Sequence, residues 1–366
     1  MVQLLLKFGK RSLRRGMASA GVLFLAAAPV WAAKVQKANP DPPPPDLLLE
    51  GGRKLQYERS FSSEKEMEKK RGFWTKVVDV IIGEPDHPHM VRPYSVAVDS
   101  HGRAIVTDPG ANGVHIFDIE QHKYKFIERR DKDRDAMKSP QCVAVDAEDN
   151  FYVTDSEVGK IFVFDAKGKY RRAIGSLKGG EGYFKRPTGI AVDSAAQRIY
   201  VTDTLRDVVF VLDMNGSVLR KIGKRGIENG EFNLPTEVLL HDQNIFVVDA
   251  MNFRVQFLDS FGEYETSVGK LGDSSGSMFR PKGIAIDSEG HLYVVDGLWG
   301  VVQVFDHEGR LLYYFGGRGT HSGEFQLPAG LFIDRDDRVY VVDSFNRRVQ
   351  VFHYFGLPKQ AKGERP

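Results

Sequence analysis

Six aspartates recur at one position in this sequence: Asp108, Asp155, Asp203, Asp249, Asp296 and Asp343, each ending a short apolar run. Six like carboxylates raise the chemistry of hard cations, which take several oxygen ligands, usually more than one of them charged. Each aspartate, however, stands beside a turn in its own copy of a repeat. Two are followed five residues later by arginine (Asp249 by Arg254, Asp343 by Arg348), and such pairs are expected to bridge a loop between two strands. The set therefore reads as structural. His87 and His89 flank Pro88, a spacing that could share a metal, but no third ligand accompanies them. Glycine-rich stretches such as Gly223-Lys224-Arg225-Gly226 and Gly316-Gly317-Arg318-Gly319 lead into strands, whereas a phosphate cradle opens a helix. They are expected to be connecting turns. No His-Glu-x-x-His motif occurs. No catalytic residue, metal or cofactor is expected.

The elements that position these residues follow from a repeat. Pro93, Pro140, Pro187, Pro235, Pro281 and Pro328 are spaced by 47, 47, 48, 46 and 47 residues. After each proline comes an apolar strand, such as Val96-Ala97-Val98-Asp99 or Ile284-Ala285-Ile286-Asp287. A turn and a second strand ending in the recurrent aspartate follow. A third strand (Val302-Gln303-Val304-Phe305-Asp306) and a fourth (Leu311 to Gly316) complete the unit. Four short strands joined by tight turns make a propeller blade. One blade cannot bury both faces, but six arranged radially can. The expected fold is all-β, a six-bladed β-propeller with four-stranded blades over 84–358, and a tail over 359–366. The last repeat lacks a clear fourth strand after Phe352, and Leu55 to Phe61 carries that pattern. The N-terminal strand is therefore expected to close the last blade.

Within 55–83 an amphipathic helix is also expected. Ser63 to Glu66 has the form of a capping box, and Met67, Trp74, Val77, Val78, Ile81 and Ile82 recur at helical spacing. Two readings stay open for this helix over 64–82: packed on the propeller, or facing a partner or membrane.

The N-terminus suggests export. Lys7, Lys10, Arg11, Arg14 and Arg15 precede an apolar stretch from Met17 to Val30, and Val30-Trp31-Ala32 offers a cleavage site. This is the layout of a signal peptide, expected over 1–32, with an uncleaved membrane anchor as the alternative. A proline-rich linker is expected over 33–54. The whole chain has 51 basic and 49 acidic residues; without 1–32 the balance is 46 against 49, or −3. No basic footprint for nucleic acid remains. A single cysteine, Cys142, rules out an internal disulfide and reads as a small buried apolar group.

The segments Pro187-Thr188-Gly189-Ile190-Ala191-Val192-Asp193 and Pro281-Lys282-Gly283-Ile284-Ala285-Ile286-Asp287 resemble the NHL repeat. So do Asp249-Ala250-Met251-Asn252-Phe253-Arg254-Val255-Gln256 and Asp343-Ser344-Phe345-Asn346-Arg347-Arg348-Val349-Gln350. The likeness covers about 84–356. Blade two departs at Val158-Gly159-Lys160, and blade four puts His241 where the first strand otherwise ends in aspartate. The chain is similar to exported bacterial NHL-repeat proteins without an assigned activity. The resemblance implies a platform for a ligand or protein, so function must be argued from a site. Lactonases of the gluconolactonase type and amidating lyases share this propeller class and place a metal at the channel mouth. The positions after the blade-opening prolines, where such lactonases can supply ligands, hold Tyr94, Gln141, Thr188, Thr236, Lys282 and Ala329, and the next ring holds one acid, Glu237. Tyr94, Gln141, Thr188, Thr236, Glu237 and Lys282 are thus the candidate ligand-binding residues, with a metal-dependent hydrolase or lyase as the alternative function.

A further set lies in the loops after the second strands: Leu205, Met251, Phe253, Leu298, Trp299 and Phe345. An apolar face with a polar rim is what a protein-binding surface looks like; the competing reading packs each ring over the neighbouring blade. The expectation is a non-catalytic binding scaffold, periplasmic or secreted, with a protein partner in the cell envelope. A small ligand is a further option. Nucleic acid is not expected, and membrane contact is expected only through an uncleaved leader or the 64–82 helix.

Overall fold

The computed structural model describes residues 42–67, 88–129, 136–176 and 182–357. The chain divides into 1–40 and Asp41–Pro366, and the first unit lies outside the described residues, as do the leader and most of the 64–82 segment. Within Asp41–Pro366 the described residues form six antiparallel sheets, five of four strands and one of five. Blade one comprises Ser95–Val98, Ala104–Asp108, Gly113–Asp118 and Lys123–Glu128. Blade four comprises Pro235–His241, Asn244–Asp249, Arg254–Leu258 and Tyr264–Val268, and blade five Pro281–Ile286, Leu292–Asp296, Val301–Phe305 and Leu311–Gly316. The all-β six-bladed propeller is as the repeat predicts.

Burial along the strands shows why. Ala104–Asp108 and Gly113–Asp118 are buried at every residue, because both faces of those strands lie against neighbouring blades. The fourth strand, Lys123–Glu128, alternates between exposed and half-buried up to Phe126, with Ile127 buried, because it forms the outer edge. The core is correspondingly not one mass. Buried apolar residues form six clusters, each at a seam between two blades. Tyr293, Val295 and Val304 of blade five meet Leu331, Val341 and Phe352 of blade six, for example. Val342 and Val349 of blade six meet Val96 and Phe117 of blade one in the same way, so the seams run all the way round.

In the last sheet Lys54–Phe61 pairs antiparallel with Arg348–Phe355, and Leu47–Leu48 adds a short fifth strand outside it. Leu47 and Leu49, from the stretch read as a spacer, pack on the seam between blades five and six. Among the described residues there is no α-helix, only short 3-10 turns. One of these is Glu64–Met67, and the rest of the expected helix lies outside the described residues. The serine that pairs with Glu66 at its start is Ser62, not Ser63, and both bonds run one way. The Ser62 N–H and Oγ donate to the Glu66 carboxylate at 2.8 and 2.7 Å. No helix among the described residues is long and apolar enough to cross a membrane.

Candidate functional site

Strand direction sorts the loops between two ends of the ring. Each opening proline lies beside the aspartate that ends its second strand, as in Pro235 with Asp249 and Pro281 with Asp296. The mouth formed by the residues after the prolines, the second-to-third-strand loops and the blade-linking loops therefore share one end, called here the entry end. The remaining turns share the other.

The six recurrent aspartates hold the entry end together. All are fully buried. Each accepts backbone N–H groups from the residues just before its own blade's proline: Lys138 and Ser139 donate to Asp155 at 2.7 and 2.9 Å, Lys185 and Arg186 to Asp203 at 2.9 Å, and Gln326 to Asp343 at 2.7 Å. A carboxylate is needed because several donors converge where no water reaches. The expected Asp249–Arg254 and Asp343–Arg348 pairs form, at 2.9 and 2.8 Å. Burial would push Asp108 up, but its bonds from His115, Val91 and Arg92 outweigh that and hold it below the usual carboxylate range. The aspartates are spread round the ring and spent on the fold.

At the centre, the first strands approach so closely that some positions admit only glycine. A Cβ at Gly189 would lie 2.5 Å from Glu237 Cα. Two contacts span the channel between blades that are not neighbours. The Cys142 thiol of blade two donates to Glu237 Oε2 of blade four at 2.9 Å. Lys282 Nζ of blade five stands 4.9 Å over the ring of Tyr94 in blade one, a cation–π distance. Burial pushes Glu237 up to about 7, with the Cys142 thiol and the Val238 N–H opposing. Burial, joined by the charges of Arg280 and Arg92, pushes Lys282 down to about 8. Burial and the nearby Glu237 raise the Cys142 thiol well above its ordinary value, which suits a hydrogen-bond donor and not a nucleophile. The Tyr94 hydroxyl is raised by burial, with Cys142 and Glu237 adding to it.

The structure thus brings Tyr94, Glu237 and Lys282 together, and adds Cys142. Gln141 instead turns back to Ser139 Oγ at 3.0 Å, and the Thr188 hydroxyl joins those of Thr202 and Thr204 at 2.9 and 2.7 Å. Both belong to the framework of their own blades. Thr236 Oγ1 is buried with no partner among the described residues. Reading by residue type missed Arg92, Arg186 and Arg280, all exposed on the same rim. They were visible as the residue before the proline in alternate blades. A pocket with one carboxylate, one lysine and a protonated thiol can hold a polar group, but it lacks the several oxygen donors a hard cation takes.

Of the apolar loop residues, Leu205, Met251, Trp299 and Phe345 are exposed, while Leu298 and Phe253 are half-buried. Phe253 faces Phe279 at 6.2 Å between ring centroids. All six stand at the entry end, and exposed Ile227 and Leu271 join them from the linking loops.

Two other groupings resolve as turns. Asp99, His101 and Asp149 have metal-ligand spacing. Yet Asp99 accepts from the N–H groups of His101 and Arg103, and Asp149 from the N–H and hydroxyl of Ser100. Gly272-Asp273-Ser274-Ser275-Gly276 has the spacing of a nucleophile elbow, which sequence reading overlooked. It lies in a linking loop ahead of a strand, and Ser274 Oγ is 2.9 Å from Ser277 Oγ. His87 lies outside the described residues.

A family model described as a 6-bladed beta-propeller, DUF5128, matches residues 122–201 and 191–251. No curated protein matches the chain in sequence. Among solved structures, a protein of unknown function from Bacteroides thetaiotaomicron is similar, with TM-score 0.58, 14% identity, and 87% of this chain and 84% of that one covered. An auxiliary nutrient binding protein from the same organism aligns with TM-score 0.56, 12% identity and coverage of 72% and 69%. Virginiamycin B lyase from Staphylococcus aureus aligns with TM-score 0.53, 14% identity and coverage of 82% and 99%. At these identities the likeness is one of fold.

Proposed function

We propose that the chain is an exported, non-catalytic binding scaffold of the NHL-repeat type, which presents the entry end of its propeller to a protein partner in the cell envelope. The observation that carries this is the exposure of Leu205, Met251, Trp299 and Phe345 on separate blades at that one end. Apolar side chains grouped round a polar mouth suit a partner surface. The NHL assignment draws support from blades four and six, where Asn, Arg and Gln converge on Asp249 and Asp343. Closure of the ring by the N-terminal strand draws support from the pairing of Lys54–Phe61 with Arg348–Phe355. Export rests on the leader. The alternative, a metal-dependent hydrolase or lyase at the channel mouth, has less support, because Glu237 is the one carboxylate of that ring where a hard cation takes several oxygen ligands.

The test is capture from the native envelope fraction with the full chain as bait, beside a Met251→Asp/Phe345→Asp variant. A specific partner retained by the parent and lost by the variant is expected. The same set captured by both would sink the reading.

A further inference from the structure

Blades four and six share a clamp that blade five lacks. In blade four, Asn252, Arg254 and Gln256 donate to Asp249 Oδ2 at 2.8, 2.9 and 2.9 Å. Arg254 Nη2 then reaches the carbonyls of Glu228 and Glu231 in the linking loop, at 2.7 and 3.2 Å. Blade six repeats this: Arg348 bonds Asp343 at 2.8 Å and the carbonyls of His321 and Glu324 at 2.7 and 3.1 Å. In each, a guanidinium fills the gap between loop and third strand.

Blade five keeps the frame and removes the filling. The loop follows the same course, with Leu271 bridged to Met278 as Arg225 is to Phe232 and Arg318 to Phe325. Gln303 still donates to the Ser277 carbonyl at 2.8 Å and accepts from the Gly276 N–H at 3.1 Å. But Trp299 stands where the flanking blades have asparagine, and Val301 where they have arginine. Ser277 replaces glutamate. Tyr314 lies opposite Gln303, where Ser267 and Ser60 lie opposite Gln256 and Gln350. The result is an open cavity of about 230 Å³ bounded by these residues, Asp273 and Ser274. Its rim has two exposed aromatic rings, Trp299 and Tyr314, and one carboxylate, Asp273.

We propose that this cavity is a guanidinium-binding site that receives an arginine side chain of the partner where Arg254 and Arg348 sit in the flanking blades. The backbone of Ser274 and Ser277 corresponds to that of Glu228 and Glu231, whose carbonyls take the internal arginine. Indole and phenol faces suit a flat, weakly hydrated cation. Asp273 supplies the opposite charge. The source of the arginine rests on the binding-face reading; the site itself does not.

The experiment titrates the full chain with Nα-acetyl-arginine-N-methylamide and follows the indole N–H resonance of Trp299, assigned by its loss in Trp299→Asn. A saturable shift is expected. The neutral citrulline counterpart should bind at least about tenfold more weakly, the size of one lost cation contact. Val301→Arg, which restores the internal guanidinium, should abolish the shift, and the milder Tyr314→Ser should weaken it. No saturation with the arginine probe, equal binding of the citrulline probe, or undiminished binding by folded Val301→Arg would each overturn the site. Partner capture unchanged in Val301→Arg would overturn the partner's arginine as its occupant. Loss of the binding-face reading alone would show as failed capture with probe binding intact.

Discussion

The two ends of the ring are made by chain reversals repeated from blade to blade, yet their side chains are arranged differently. At the end away from the mouth one device recurs. An aspartate carboxylate accepts the N–H groups two and four residues on: Asp99, Asp146, Asp287 and Asp334 between first and second strands, Asp165, Asp213, Asp259 and Asp306 between third and fourth. Neighbouring blades are also tied there, as by Ser100 to Asp149 and Ser288 to Asp337. At the entry end the buried aspartates fix the backbone, and the side chains above them vary from blade to blade. Repetition marks what the fold needs. On the binding-face proposal, variation above a fixed frame is where recognition is free to evolve.

The comparison is most easily broken with the buried clamps. Asp343→Ala strands the donors of Asn346, Arg348 and Gln350 and should cost about 3–5 kcal/mol, read as a shift in denaturant midpoint. If it costs no more than a surface change, the entry end is not fixed by its aspartates.

The channel gives the next effect. Glu237 titrates near 7 in the folded protein against 4.5 for a free side chain. Because the folded value is raised, its stabilising share is full below pH 4.5 and is lost as pH rises through 7. Glu237→Gln should remove that decline, a difference of about 3.5 kcal/mol at most above pH 7, since each pKa unit is about 1.4 kcal/mol. Lys282 runs the other way. Its folded value is lowered to about 8 from 10.5, so stability is present above 10.5 and lost as pH falls through 8. Lys282→Met should flatten that alkaline limb. Stability that follows pH identically in both variants and the parent would refute the burial of these two charges at the channel.

Smaller still is the turn device. Asp334→Ala removes the acceptor for two turn N–H groups and for the Tyr340 hydroxyl and should cost about 1–2 kcal/mol. Smallest is Met251→Ser with Phe345→Ser, expected to move the unfolding midpoint by no more than about 0.5 kcal/mol while weakening partner capture. A large loss of stability there would mean these rings pack as core.

Much of this is legible in the sequence. The proline spacing and the recurrent aspartates give six blades, and the five-residue separation of Asp249 from Arg254 gives a local pair. Cys142 reads as an inert apolar group because its partner, Glu237, stands 95 residues away across the channel. No local pattern encodes the rotation that brings blades two and four face to face. The blade-five cavity was written in the sequence as Trp299 and Val301 in place of asparagine and arginine. It became readable only once the flanking arginines were seen to bond the linking loop. Of the residues after the prolines, Gln141 and Thr188 bond within their own blades, to Ser139 and to Thr202 and Thr204, a choice of rotamer that residue type does not encode.

The most direct test of the binding-face account places one photo-crosslinking residue at either end of the ring and exposes the full chain to its native envelope. Phe345 at the entry end and Phe261 in a turn at the other are both exposed, at 57% and 75%. The account predicts a discrete partner adduct from position 345 and none from position 261. An adduct from 261 with none from 345 would contradict it.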